Sequence, residues 1–142
     1  MIEGVVANVL AHNPTIVTAG IPEYTGGANG LAIFAVKVPL NCKSLAIKVQ
    51  SISMQGMDTQ GKDGFVARLD ISIYGPKDYS YIPLRDIGML IYKALHRGTL
   101  APYIEAAGYR ATSCFANPPS DHEDADGYPG CIVSLAATVL EI

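Results

Sequence analysis

Residues 65–74 alternate without a break, with Phe65, Ala67, Leu69, Ile71 and Ile73 on one side and Val66, Arg68, Asp70, Ser72 and Tyr74 on the other. A period of two held that long predicts a strand with one face against a core and a mixed face elsewhere. Gly75 and Pro76 end it, because proline cannot continue a ladder. A few residues later the period changes. Leu84, Ile87, Ile91, Ala94 and Leu95 recur at helical spacing, with Ser80 as a candidate cap, Pro83 in the first turn and Gly98 just past the end. A strand that passes through a short turn into an amphipathic helix must bury both apolar faces together, so the rest of the chain has to be built around this pair.

The remaining elements follow from the same two periods. Ile2, Val5, Val6, Val9 and Leu10 predict a short helix that stops at Asn13 and Pro14. Residues 22–30 carry Pro22, Gly26, Gly27, Asn29 and Gly30 and read as a Gly-rich loop, able to serve as an arm. Residues 31–38 and 45–50 are β-compatible runs, the first closed by Pro39. Residues 54–64, with Gly56, Gly61 and Gly64 among polar side chains, are expected to form a loop longer than a hairpin needs. Residues 102–107 suggest one more helical turn, residues 109–115 a strand, residues 117–130 a second long loop, and residues 131–142 a closing strand. This order does not alternate strand with helix. It predicts an α+β fold: a mostly antiparallel sheet with helices packed on one face.

Composition narrows the function. The 142 residues are 49% hydrophobic and 16% charged, which predicts one packed domain over residues 1–142, with apolar surface left for an oligomer contact. A formal charge of −3 lacks the basic stripe of a protein that grips phosphates. The apolar runs 2–10 and 131–142 are too short to span a bilayer, and the start has no signal-peptide pattern, so the chain is expected to stay in a cytoplasm and away from membranes. Cys42, Cys114 and Cys131 are odd in number and widely spaced, as buried small residues would be.

Asp121, His122, Glu123, Asp124 and Asp126, followed by Gly127, form the one cluster of potential metal ligands. A calcium loop needs a bidentate Glu at its twelfth position, and counting from Asp121 that position is Ile132. A hydrolytic zinc site needs three converging ligands, and His12 and His96 sit at the ends of predicted helices far along the chain. The cluster reads as solvated loop charge, and a small metal-dependent hydrolase is the weakest reading. No Ser or Cys sits in a nucleophile elbow, and the glycines at 26, 27 and 30 do not open a helix as a phosphate loop does. No catalytic residue, cofactor or metal is expected. Arg85 and Asp86, like Lys93 and Arg97, read as a solvated helix face or as an interface set.

Three stretches resemble the tail terminator, or tail completion, proteins of long-tailed bacteriophages. Residues 34–53 (FAVKVPLNCKSLAIKVQSIS) are similar to the family's first strand, proline-containing connection and second strand. VARLDISIYGPKDYS followed by LRDIGMLIYKAL is similar to its alternating strand, turn and helix, and DADGYPGCIVSLAATVLEI to its ending. The resemblance implies a structural virion protein that is not an enzyme. As a late protein of tail assembly it would form a hexameric ring that caps the tail tube, contact the tube protein and the head-tail connector or neck, and let DNA pass without specific binding. Other readings are a different neck or connector protein and a protein-binding module outside any phage. The two long loops are the candidate assembly surfaces, through Gln55, Met57, Asp58, Gln60, Lys62 and Asp63 in one and Asp121, His122, Glu123, Asp124, Asp126 and Tyr128 in the other. Chelation is expected to leave the thermal midpoint unchanged, since no residue set satisfies a structural metal. Melting with and without EDTA checks this, and a fall of several degrees reversed by one metal is the contrary result.

Overall fold

The structure is a computed structural model that describes residues 2–35, 45–59, 62–75, 81–96, 109–123 and 128–141. The chain opens with helix α1 (Ile2–His12) and a single helical turn, α2 (Pro14–Val17). Asn13 separates them, accepting on its side-chain oxygen from the backbone N–H groups of Thr15 and Ile16. That is the capping role its position before Pro14 predicts. Strands β1 (Ile33–Ala35), β2 (Ala46–Thr59) and β3 (Lys62–Tyr74) follow, then helix α3 (Tyr81–Leu95) and strands β4 (Tyr109–Ala116), β5 (Ser120–Glu123) and β6 (Pro129–Glu141).

The strands make one sheet in the order β1-β2-β3-β6-β4, with β5 also on β6. Only β1 and β2 are parallel, and the other described pairings are antiparallel. The expected α+β class is therefore found. β3 sits in the middle, and its odd residues behave as their period requires: Ala67, Leu69, Ile71 and Ile73 have no exposed surface. Across the ladder they face Ala137, Leu135, Val133 and Cys131 of β6, which are equally buried. The helices cover this same face, α3 packing on β3, β4 and β6, and α1 on β1 and β2. Leu84, Ile91 and Leu95 of α3 complete one continuous apolar cluster that also takes in Val6, Leu10 and Ile16.

Two close approaches explain particular glycines. A Cβ on Gly88 would lie 2.8 Å from Cβ of Pro119 and 3.1 Å from Sγ of Cys131, so glycine lets α3 settle onto the start of β6. A Cβ on Gly27 would stand 1.7 Å from the Leu31 carbonyl oxygen. The Gly-rich segment is thus folded against the body and is no free arm. Glu23 bridges Leu31, the Tyr24 ring meets Phe34 edge-on at 5.2 Å, and the Asn29 side chain donates to the Ala11 carbonyl at 3.1 Å.

Two expectations need correction. Residues 54–59 and 62–64 are strand and not loop, because β2 and β3 pair as far as Thr59 with Lys62. Glycine and polar side chains weaken a strand, yet a ladder already running along β3 supplies the backbone bonds that composition cannot forecast. The stretch 117–130 is also only partly loop, since β5 pairs with residues 129–132 of β6. The suggested turn at 102–107, Cys42, Ser80, Arg97 and Gly98 lie outside the described residues.

Leu69→Ala and Ile91→Ala should each cost about 2–5 kcal/mol, as both leave a cavity where strand and helix meet. Gly88→Ala should cost about 1–3 kcal/mol by overpacking against Pro119. Denaturant titration checks all three, and a wild-type midpoint for the Gly88 variant would mean that α3 does not approach the sheet so closely.

Candidate assembly surface

The residues proposed from sequence divide between two places. Gln55, Met57, Asp58, Lys62 and Asp63 lie on the β2–β3 hairpin, where register sets Gln55 opposite Val66, Met57 opposite Gly64, Asp58 opposite Asp63, and Thr59 opposite Lys62. Asp121, His122 and Glu123 lie on β5, with Tyr128 just before β6. Gln60, Asp124 and Asp126 lie outside the described residues. The hairpin set and the β5 set belong to different parts of the sheet, β2 on one side of β3 and β5 on the far side of β6.

Asp121 of β5 stands opposite buried Cys131 and so faces the helices, whereas exposed Ser120 falls on the opposite face. The Arg85 guanidinium of α3 grips the Asp121 carboxylate with two bonds, Nε to Oδ1 at 2.8 Å and Nη2 to Oδ2. This bond lowers the Asp121 pKa and raises that of Arg85. Arg85 stays exposed, so this helix face is solvated while also holding a specific partner. Next to it, burial pushes the Cys131 thiol up to about 11, which keeps it protonated and unreactive. Cys114 is buried as well, its thiol donating to the Leu95 carbonyl at 3.4 Å. Among the described residues no three His, Cys, Asp or Glu side chains cluster as metal ligands.

Two features had no sequence signal. Ile52 is a bulge in β2, where register shifts between Ser51 and Ser53, and its side chain is 61% exposed. Beside it the Ser51 hydroxyl donates to the Glu3 carboxylate at 2.5 Å, tying α1 to β2 and helping to lower the Glu3 pKa from 4.5 to about 2. At the other side of the sheet, Nδ1 of His96 accepts from the Ala116 N–H at 3.1 Å, while its ring lies 5.9 Å from that of half-exposed Phe115. The face of the sheet away from the helices presents Lys48, Gln50, Arg68, Asp70 and Ser134, with Ser134 donating to Asp70 at 2.8 Å. An open groove of about 790 Å³ between α1 and β1 is lined by Gly4, Ala7, Asn8, Gly27, Ile33 and Phe34, side chains too plain to specify a reaction.

The architecture is that of an open, mostly antiparallel sheet covered by helices on one face. Among solved structures the fold is similar to a chain in the virion of a native gene transfer agent particle, with a TM-score of 0.70 and 11% identity over 97% of this chain and 93% of that one. No family model matches the sequence, and no curated protein matches it.

Because the carboxylate of Glu3 is favoured in the folded state, its bond stabilises the fold above about pH 4.5, and that contribution is lost as pH falls toward about 2. Ser51→Ala should therefore lower the thermal midpoint at neutral pH, and the difference from wild type should shrink through that window. A difference independent of pH would assign the loss to packing alone.

Proposed function

We propose that the chain is a structural subunit of a virion, and within that class a tail terminator whose single domain closes into a hexameric ring, caps the tail tube and joins it to the neck. The observation that carries this reading is the fold shared along nearly the whole chain with a subunit of the gene transfer agent virion. The sequence resemblance to tail terminators adds to it independently. A structural role agrees with the surface: the acidic groups are spread over the hairpin and β5, and Asp121 is occupied by Arg85. Assembly contacts are assigned to the hairpin residues Gln55, Met57, Asp58, Lys62 and Asp63, and to β5 at His122, with Tyr128 just before β6. The ring carries a negative formal charge, which suits a channel that DNA passes without being held.

Two measurements test the reading. Particles purified from a producing host should contain the chain in a copy number matching one ring per tail, by quantitative mass spectrometry. Deleting its gene should leave tails of irregular length that fail to join heads in electron micrographs. Absence of the chain from purified particles, or normal joined tails without it, would overturn the assignment.

A further inference from the structure

The two edges of the sheet are finished differently at their two ends. The Ile47 N–H donates to the carbonyl of Ala32, just before β1, at 2.9 Å, so in β2 the odd residues up to Ser51 turn their backbone groups away from β3. The bulge at Ile52 shifts the alternation by one. Beyond it Met54, Gly56 and Asp58 turn outward, and among the described residues no strand pairs with them. Residues 50–59 contain no Lys, Arg or Pro, so beyond the Ile52 bulge and Asp58 this edge carries none of the usual guards.

The opposite edge is β4. Asn117 N–H donates inward to the Ser134 carbonyl, so Ala116 turns outward, and its N–H is the one that His96 takes. That end is guarded. Toward the other end the bulge between Ala111 and Ser113 again shifts the alternation, and Ala111 and Tyr109 turn outward with no described strand beside them. Register places these two stretches level with each other: Met57 pairs with Gly64, Gly64 with Leu140, and Leu140 with Arg110, in one row across the sheet. The order of antiparallel pairings also makes β4 run opposite to β2. A second copy set beside the first, with strands along a common axis, therefore presents an antiparallel edge at the right height. Asp58 then meets Tyr109, and Gly56 meets Ala111, as hydrogen-bonded pairs.

We propose that identical subunits join by pairing the outer edge of β2, at residues 54–58, with the outer edge of β4, at residues 109–111, of the next copy. The partner is another copy because one chain carries both unlike halves of the contact. Such a contact is head-to-tail and must either close into a ring or extend as a fibre. This rests on the ring reading above for closure, while the pairing itself does not depend on it.

Proline at an outward position removes the edge donor and leaves the internal ladder intact. Gly56→Pro suits β2, since nothing lies within 4 Å of a Cβ there. Ala111→Pro suits β4, with Tyr109→Pro, at the first residue of its strand, as the second variant if Ala111→Pro does not fold by circular dichroism. In native mass spectrometry the wild-type chain should give rings or longer chains, and each variant alone should give monomer. Mixed, the two variants should give one-to-one dimers and nothing larger, since each keeps one working edge. A wild type that stays monomeric, variants that assemble as wild type does, or a mixture without dimers would overturn the pairing. Rings insensitive to the prolines would sink this inference and leave the tail terminator reading standing. Fibres that the prolines abolish, from a chain absent in particles, would do the reverse.

Discussion

The rest of the molecule depends on the burial of one face of β3. Ala67, Leu69, Ile71 and Ile73 are held between β6 in the sheet and α3 above it, all without exposed surface. Burying side chains of this size stabilises by roughly 1.5–3 kcal/mol each for the larger ones, and a one-residue slip would put all of them on the wrong face. Register is therefore set at the centre. β2 and β6 take their heights from β3, β4 and β5 take theirs from β6, and α3 can lie only where its apolar stripe meets the same row.

From that centre outward, specification weakens. The Arg85 pair with Asp121 and the Ser51 bond to Glu3 tie peripheral elements to the body through polar contacts at least partly open to water, where such pairs contribute little. At the two edges the sheet carries bulges at Ile52 and between Ala111 and Ser113, and the His96 cap at Ala116. A subunit of an assembly has reason to be built this way, because edges that a monomer must hide are the contacts an assembly uses. The similarity to a virion subunit concerns the fold.

Legibility in the sequence followed the same gradient. The alternation of β3, the helical stripe of α3, the stop at Asn13 and the burial of Cys114 and Cys131 could be read directly, because each is a local pattern with one physical cause. The far half of β2 could not. Gln55, Gly56 and Asp58 have the composition of a loop, and the extra residue at Ile52 breaks the period that would have marked a strand. β5 was hidden for a similar reason, since Ser120, Asp121, His122 and Glu123 have little strand preference and pair only because β6 lies beside them. In the sequence the candidate surface residues read as members of two loops, and the structure puts the described ones mainly on strands.

The sequence by itself determined the class of the fold and its core, because periodicity says which side chains must leave water and which secondary structure lets them do so together. Only the tertiary structure decided how far the hairpin extends, that Arg85 belongs to Asp121, and which backbone groups at Met54, Gly56, Tyr109 and Ala111 turn outward. Those facts depend on pairing between residues far apart in the chain. Hydrogen bonds across a ladder are made by backbone atoms common to all residues, so no side-chain pattern records them until the strands are in place.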